Sequence, residues 1–384
     1  MNGGPSPLSS STWQLHLPRQ ARSDGVRWDG VVDLNGDGFR DLIVLGNTTS
    51  PMLVFWGRRD GLSMESVARL MSPVDDRASS VSNAADFDLD GICDIVVGRA
   101  NTSSTMLVNG RRDNASLSAT PLFTADGSGR AIFGGGDLDG DGQSDVAIVS
   151  ETATAPFVQF ATAYLSSSAS VTSDRSRPLF GDLTTREIVT TSLDRDHLDD
   201  LVAIVRNSGT SRVEAYMGHG DFRNSAPPRV IEGIREPVWL RAVGDVDADG
   251  LPELWVSHNS GGTLYQGSGY RNLFSTSGPA VLSVCGADFD GDGFSDFGIS
   301  RQDGLDVEIY AGAVPTLPLA PTTRLMPNSG GGLGGLVCAD FNADGFGDLA
   351  SMRTNGVIAV WYGSATGLSV NPTQRFSVMG TDLR

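Results

Sequence analysis

Short apolar runs alternate with turn-rich segments along the whole chain, and none shows a convincing helical period. One stretch near the C-terminus contains four such runs: Ala280–Phe289, Asp296–Ser300, Val307–Ala311 and Thr323–Met326. The turn pair Asp303-Gly304 joins the second run to the third, which is a strong hairpin signal. Short apolar runs bounded by turns are typical of β-strands, so this stretch predicts a unit of four antiparallel strands.

The same unit recurs along the chain. Runs equivalent to the third strand are Met52–Trp56, Arg212–Met217 and Val357–Tyr362, the last preceded by the turn pair Asn355-Gly356. Four antiparallel strands in a repeat of about 50 residues form one propeller blade. We therefore predict an all-β fold, a seven-bladed β-propeller that occupies residues 24–384. The predicted blades are about 24–72, 77–124, 129–180, 185–233, 237–276, 279–326 and 332–380.

A second repeat marks the turn between the first and second strands of each predicted blade. Its pattern is D-x-(D/N)-x-D-G-x-x-(D/E), and its copies begin at residues 33, 86, 137, 192, 245, 288 and 340. The candidate metal ligands in these loops are Asp33, Asn35, Asp37 and Asp41; Asp86, Asp88, Asp90 and Asp94; Asp137, Asp139, Asp141 and Asp145; Asp194, Asp196 and Asp200; Asp245, Asp247, Asp249 and Glu253; Asp288, Asp290, Asp292 and Asp296; and Asp340, Asn342, Asp344 and Asp348.

The chemistry of this pattern indicates calcium. Ca²⁺ takes six to eight oxygen ligands, and alternate residues of the loop offer hard oxygens. Glycine at the sixth position allows the positive φ that a sharp reversal needs, and the acid at the ninth position closes the shell. An EF-hand loop closes at position twelve instead; in the first copy that position is Val44.

The fourth copy departs from the pattern. Ser192 stands at its first position, where the other copies have Asp, and His197 replaces the glycine. A hydroxyl is a weaker ligand than a carboxylate, and positive φ is unfavourable for a histidine. We therefore expect about six Ca²⁺ ions per chain, with the fourth site weak or empty.

The charge of the chain supports a bound cation. The formal net charge is −18, and more than half of the 46 acidic residues lie in the loops. Three or four carboxylates in one tight loop repel each other unless a cation lies between them. An acidic chain also excludes the basic face that nucleic-acid binding needs. All 28 basic residues are arginine, so chemistry that requires a lysine is excluded.

The loops resemble those of FG-GAP/VCBS repeats, which build the N-terminal propeller of integrin α chains and occur in many bacterial surface proteins. The resemblance also rests on Phe55-Trp56-Gly57 with Asp60-Gly61-Leu62-Ser63, and on Trp361-Tyr362-Gly363 with Thr366-Gly367-Leu368-Ser369. It implies Ca²⁺ in each strand 1–2 hairpin, an extracellular or cell-surface location, and an adhesive or carbohydrate-binding role. Phe133-Gly134 matches the Phe-Gly signature, whereas no Gly-Ala-Pro occurs.

A ligand is expected on the face opposite the loops. Basic residues stand near the end of the second strand in five units: Arg99, Arg206, His258, Arg301 and Arg353. Ring symmetry would gather them around the mouth of the channel, where they would suit an anionic glycan or a protein carboxylate. The alternative is that each one pairs with an acid of a neighbouring blade or with a carbonyl at a strand end.

Nothing in the chain indicates catalysis. No nucleophile-elbow or zinc-protease motif occurs, and the carboxylates are better explained as calcium ligands. The favoured function is therefore a binding module for glycan or protein ligands. Two alternatives stay open: a structural scaffold of a surface assembly, and a polysaccharide lyase or hydrolase whose base would be His219 or His258 on the opposite face.

The termini and cysteines leave choices open. Residues 1–23 are predicted as a linker or a terminal strand, and Trp13–Leu17 competes with Gln374–Met379 for the outer strand of the last blade. No leader and no membrane span are recognisable. A bridge between Cys285 and Cys338, at equivalent positions of neighbouring units, is disfavoured because adjacent blades should hold them too far apart. Oligomeric state is not indicated.

Overall fold

The computed structural model describes most of the chain beyond its N-terminal segment. The described residues are 31–44, 52–63, 67–70, 80–82, 85–99, 104–112, 117, 119–124, 131–151, 159–167, 170–179, 188–207, 210–222, 227–234, 236–267, 269–302, 304–313, 316–327, 333–353 and 357–377. Residues 1–23, the candidate strand Trp13–Leu17 within them, Asp303 and the pair Asn355-Gly356 lie outside these ranges.

The described strands form seven four-stranded sheets, which we number in chain order. Sheet 1 contains β1 (Val31–Val32), β2 (Asp41–Val44), β3 (Met52–Phe55) and β4 (Val67–Leu70). Sheet 2 contains β5 (Ser80–Val81), β6 (Ile95–Arg99), β7 (Ser104–Val108) and β8 (Ala119–Thr124). Sheet 3 contains β9 (Ala131–Gly136), β10 (Asp145–Glu151), β11 (Gln159–Ser167) and β12 (Ser170–Pro178). Sheet 4 contains β13 (Ile188–Thr191), β14 (Asp200–Asn207), β15 (Thr210–Tyr216) and β16 (Arg229–Ile231).

The remaining three sheets complete the set. Sheet 5 contains β17 (Trp239–Ala242), β18 (Leu254–His258), β19 (Gly261–Tyr265) and β20 (Asn272–Ser277). Sheet 6 contains β21 (Val281–Ala287), β22 (Asp296–Arg301), β23 (Val307–Tyr310) and β24 (Thr323–Leu325). Sheet 7 contains β25 (Leu333–Ala339), β26 (Asp348–Arg353), β27 (Val357–Trp361) and β28 (Gln374–Ser377).

Each sheet is an up-and-down meander of antiparallel strands. In sheet 6, for example, Ala287 pairs with Asp296 and Phe297 pairs with Tyr310, so the strands follow one another in chain order. The first strands of neighbouring sheets contact each other, which places them innermost. This arrangement is a β-propeller, and the predicted all-β propeller fold is confirmed.

Apolar side chains hold neighbouring sheets together. Each main hydrophobic cluster combines buried residues from two consecutive sheets, as where Trp255 and Phe274 of sheet 5 meet Phe297 and Tyr310 of sheet 6. A further cluster joins the last sheet to the first and contains Phe55 and Phe376. Because both faces of a sheet pack against neighbours, its middle strands are buried throughout, as in Met52–Phe55.

The junction between sheets 7 and 1 has polar contacts as well. The Tyr362 hydroxyl accepts a hydrogen bond from the Leu62 N–H at 3.0 Å and donates to Gln374 Oε1 at 2.6 Å. Gln374 Nε2 in turn donates to the Leu62 carbonyl at 2.8 Å. Of the two candidates for the outer strand of the last sheet, Gln374–Ser377 occupies that place.

A disulfide joins sheets 6 and 7. Cys285 on β21 and Cys338 on β25 form the bridge, and their Cα atoms lie 5.5 Å apart. The expectation that equivalent cysteines would be too far apart is wrong, because both lie on first strands, which converge toward the axis of a propeller. Cys93 is a free thiol. Among the described residues, no helix is long and apolar enough to cross a membrane.

Candidate metal centres

The predicted loops lie between the first and second strands of the sheets. In the first loop, the Asp33 carboxylate accepts hydrogen bonds from the N–H groups of Asp37 at 3.0 Å and Gly38 at 2.8 Å. The same pair of bonds recurs at Asp86, Asp245, Asp288 and Asp340. These bonds wrap the loop around the first-position carboxylate.

Glycine at the sixth position has the expected backbone conformation. Gly38, Gly293 and Gly345 each have φ 91°, in the region that other residues adopt only at a cost. The fourth position of several loops also has positive φ, and there Leu89, Ala248 and Ala343 adopt it at 53–61°. The sequence pattern did not indicate this second reversal, since no single residue type marks it.

The acid at the ninth position is buried in every loop. Asp41, Asp94, Asp200, Glu253 and Asp348 are fully buried, and Asp145 and Asp296 nearly so. In the first loop, one Asp41 oxygen accepts the Leu34 N–H at 2.8 Å and the other accepts the Gly57 N–H at 2.9 Å. The closing acid therefore ties the loop to the end of the third strand.

The hydrogen bond to the closing acid holds the residue after the third strand so close to the loop that only glycine fits there. A Cβ on Gly57 would lie 2.3 Å from the carbonyl oxygen of Arg40, which is closer than any side chain tolerates. Gly363 is confined in the same way by the Gly347 carbonyl. Equivalent N–H bonds to the closing acid come from Gly110, Gly218, Gly312 and Gly363. Sequence reasoning used Gly57 and Gly363 only as marks of resemblance and missed this role.

Burial disfavours the charge on the closing acids. It raises the pKa of Asp94, Asp200 and Asp296 to about 6, that of Asp41 and Asp348 to about 7, and that of Glu253 to about 8. The other loop carboxylates oppose ionisation further, while the backbone N–H bonds favour it. A cation in the loop would favour the charged form of all these groups.

Four loops bring acidic oxygens close enough to hold one metal ion. Carboxylate oxygens of the following residues lie within 4.8 Å of one another: Asp245, Asp247, Asp249 and Glu253; Asp86, Asp88 and Asp90; Asp137, Asp139 and Asp145; Asp288, Asp290 and Asp296. The fifth loop is the most complete, with four carboxylates. Its Glu253 Oε1 is buried and has no hydrogen-bond partner among the described residues. An all-oxygen set with an unsatisfied buried oxygen fits a hard divalent cation.

In the first and seventh loops the third position is asparagine. Asn35 Nδ2 donates to Asp37 at 2.9 Å, and Asn342 Nδ2 donates to Asp344 at 2.9 Å. The amide thereby relieves part of the repulsion between the acids, and its Oδ1 accepts the N–H of the fifth residue.

Amide side chains of the residue directly after the third strand reach two further loops, which the sequence reading missed. Gln266 Nε2 donates to Asp247 at 3.0 Å and to Asp249 at 2.7 Å. Asn109 donates to Asp88 in the second loop in the same way. Both amides directly precede the glycine that follows the third strand, so the dipeptides Asn109-Gly110 and Gln266-Gly267 were the signal that could have revealed them.

The fourth loop differs as the sequence indicated. The Ser192 hydroxyl donates to the carbonyl of Asp194 at 2.8 Å, and His197 adopts φ 71°. Arg195 extends from this loop and donates to the carbonyl of Asp249 in the fifth loop. The acids Asp194, Asp196 and Asp200 do not form one of the metal-sized clusters found among the described residues.

Loops also bind the following sheet. The N–H of the residue before the closing acid donates to the first-position carbonyl of the preceding loop, from Asp199 to Asp137, Ser295 to Asp245 and Gly347 to Asp288, at 2.6–2.9 Å. A parallel bond joins His219 to Leu138 at 2.9 Å. The backbone of each of these loops is thus hydrogen-bonded directly to the next sheet.

Two residues of the predicted basic ring, Arg353 and Arg301, are held by partners within the fold. Arg353 is buried and donates to the Leu305 carbonyl of sheet 6 at 2.7 Å. Arg301 forms an ion pair with Glu308 at 3.0 Å and donates to Thr276 of sheet 5 at 2.6 Å. Arg353 thus has a carbonyl partner, as the alternative expected, whereas the acid that pairs with Arg301 belongs to its own sheet. His258 is half-buried at the end of β18, and the side chains of Arg99 and Arg206 lie outside the described part.

The two histidines considered as bases lie apart. His219 is bonded through its N–H to the third loop, so it belongs to the loop face and not to the opposite one. Its Nδ1 accepts the Asp221 N–H at 3.0 Å. His258 Nδ1 lies 3.4 Å from Ser260 Oγ. The prediction that both share the face opposite the loops is wrong for His219.

Residues 33–97 match the FG-GAP-like repeat. This segment contains the first two loops. The five remaining sheets have a loop at the same place, and in all but sheet 4 it matches the pattern. The chain is therefore a β-propeller that contains an FG-GAP-like repeat. Such a propeller is a binding or structural module. No curated protein matches the chain at a significant level.

Solved structures are similar in fold. One is the crystal structure of BBS1N in complex with ARL6DN, soaked with lead, with a TM-score of 0.52 and 10% identity over 91% of this chain and 96% of that chain. Another is the Dos1 propeller, with a TM-score of 0.51 and 12% identity over 82% of this chain and 73% of that chain. At these identities the likeness concerns the fold alone.

Proposed function

We propose that this FG-GAP repeat protein is a calcium-stabilised extracellular binding module, built as a seven-bladed ring with one loop per blade. The observation that carries the calcium proposal is the fifth loop, where four carboxylates converge within 4.8 Å. The unsatisfied buried Glu253 Oε1 in that cluster supports a cation that neutralises it. The motif recurs in the other loops, and with the fourth excepted we infer about six ions per chain.

Two features support a stabilising role for the ions. The closing acids are buried and connect each loop to the third strand of its own sheet. Backbone bonds then connect several loops to the next sheet. A cation that orders one loop therefore reinforces both connections, so binding would stabilise the native ring by mass action.

The extracellular location is supported by the bridge between Cys285 and Cys338. Disulfides persist in oxidising compartments and are rare where thiols are kept reduced. Calcium at the millimolar concentrations of extracellular fluids also suits loops with exposed acids. The ligand that fits such a module is a glycan or a protein, recognised by loops on the rigid scaffold.

An array of extracellular glycans and proteins, probed in Ca²⁺ and in excess chelator, tests this function. We expect binding to at least one class in Ca²⁺ and its loss in chelator, because the loops would no longer order the ring. No binding to any member in Ca²⁺ would contradict the binding function and favour a purely structural scaffold. Turnover of an arrayed polysaccharide would instead favour the enzymatic alternative.

A further inference from the structure

A groove lies between sheets 5 and 6. We call it the Arg301 groove. Its volume is about 590 Å³, and its lining includes Thr276, Arg301, Leu305, Asp306, Glu308 and Arg324. It is formed by the end of the outer strand of sheet 5 and by the turn and third and fourth strands of sheet 6. Because the metal loops follow first strands and Arg301 ends a second strand, the groove opens away from them.

The floor of the groove is a network of charged side chains. Glu308, 8% exposed, pairs with Arg301 at 3.0 Å and with Arg324 at 2.8 Å. Arg324 also pairs with Asp306 at 2.8 Å, and the Tyr310 hydroxyl donates to Glu308 at 3.2 Å. Two guanidinium groups and two carboxylates thus lie in one wall, and their formal charges cancel.

The fold does not require this network. In sheet 6, the strand register places Glu308 between Ile299 on the second strand and Arg324 on the fourth. The residue of sheet 7 that is equivalent to Glu308 is Ala359, which lies between Ser351 and Arg375.

Sheets 1 and 2 have Leu53 and Met106 at the position of Glu308, whereas sheet 4 has the buried Glu214, which pairs with Arg212 and the Tyr216 hydroxyl. Sheet 6 differs from sheet 4 on its fourth strand, where Arg324 lies opposite the acid and sheet 4 has Val230. Of these sheets, only sheet 6 thus places a second arginine opposite a buried acid, and because burying ions contributes little to stability, a binding role explains this pairing better than a structural one.

The chemistry of the lining indicates the ligand class. A wall that alternates fixed donors and acceptors with no net charge suits hydroxyl groups, which both donate and accept. Leu305, 67% exposed, offers an apolar surface beside them, as the carbon face of a sugar ring requires. A negatively charged ligand is disfavoured, because both arginines are already paired with acids.

We propose that the Arg301 groove binds a neutral carbohydrate through Arg324, Asp306 and Glu308, with Leu305 against the ring. The proposal rests on the binding function proposed above and names its ligand class and site. Thr276 holds Arg301 from the neighbouring sheet at 2.6 Å, so the site is complete only where sheets 5 and 6 meet.

The test is an array of neutral oligosaccharides, uronic and sulfated glycans and extracellular proteins, probed in Ca²⁺ with wild type and three variants. Arg324→Ala removes a half-exposed wall residue, and Arg375→Ala is its matched control, because Arg375 is the exposed equivalent in sheet 7 opposite Ala359. Leu305→Ser changes an exposed side chain that the fold does not need. We expect neutral glycan binding to weaken at least about tenfold in Arg324→Ala and Leu305→Ser, and to be unchanged in Arg375→Ala.

Two results would overturn the groove while leaving the binding function intact: glycan or protein binding that neither groove variant weakens, or binding of anionic glycans alone. Failure to bind any arrayed glycan or protein would overturn both proposals. Equal weakening in Arg375→Ala would also overturn the groove, because it would show a general effect of surface charge.

Discussion

The fourth and fifth loops are neighbours that each have the closing acid and differ in chemistry. Both end in a buried acid, Asp200 or Glu253, that accepts a backbone N–H from the second loop position. Only the fifth loop adds a carboxylate at the first position, as Asp245, and gathers four carboxylates within 4.8 Å. The closing acid therefore serves the fold in both loops, whereas the first position and the sixth decide whether a cation fits.

The hydrogen bond between these two loops also runs in the opposite direction to those at the other described junctions. Pro252 precedes the closing acid of the fifth loop and has no N–H with which to bind the fourth loop. Arg195 bridges the junction in the opposite direction, from the fourth loop to the carbonyl of Asp249. A positive side chain of the fourth loop thus reaches the backbone of the fifth.

The largest effect should come from neutralising the two closing acids. We expect Glu253→Gln to lose one bound Ca²⁺ and about 3 kcal/mol of stability at saturating calcium, because that is the mass-action contribution of a well-filled site. Asp200→Asn should cost about 1–2 kcal/mol by leaving one N–H without a good acceptor. Urea unfolding in Ca²⁺ and in chelator measures both.

The two variants are each other's control. The difference between Glu253→Gln and wild type should vanish in chelator, whereas that of Asp200→Asn should persist. Loss of a calcium ion from Asp200→Asn, or none from Glu253→Gln, would contradict the contrast between the loops.

The second test rebuilds the fourth loop. Ser192→Asp with His197→Gly supplies the missing carboxylate and relieves the positive φ of His197, so the double variant should bind one more Ca²⁺ and gain about 2 kcal/mol. Metal analysis and unfolding measure the gain. His197→Gly alone should stabilise equally with and without calcium; an added ion in that single variant would refute the role of the first position.

The third test removes the amide that supports the fifth loop. Gln266→Met copies Met217, the equivalent residue of sheet 4, and should weaken the fifth site about tenfold, because Gln266 orients Asp247 and Asp249. Calcium titration by calorimetry measures the change. Met217→Gln should leave calcium binding as in wild type, and a gain there would mean that the amide alone creates a site.

The smallest effect should follow Arg195→Ala. The exposed bond to the Asp249 carbonyl contributes less than about 1 kcal/mol, as surface polar contacts do. Calorimetric melting should show a small decrease with the calcium count unchanged. A loss of calcium would instead make Arg195 part of the fifth site.

Much of the propeller was predictable from spacing. Repeated short apolar runs and the loop motif located the strands, and the deviations at Ser192 and His197 marked the unusual loop. The convergence of Cys285 and Cys338 was not predictable, because it depends on how closely the first strands approach at the axis. The bonds of Arg353 to Leu305 and of Arg301 to Thr276 also arise between sheets, and periodicity within one repeat carries no information on such contacts.

The most direct test of the account is calorimetric melting of the wild-type protein with saturating Ca²⁺ and with excess chelator, beside a metal count on the desalted protein. The account predicts about six Ca²⁺ per chain and a large decrease of the melting temperature on chelation, because each ion stabilises a loop that joins two sheets. No bound metal and an unchanged melting temperature would contradict it, and the loops would then be acidic turns that the backbone hydrogen bonds alone maintain.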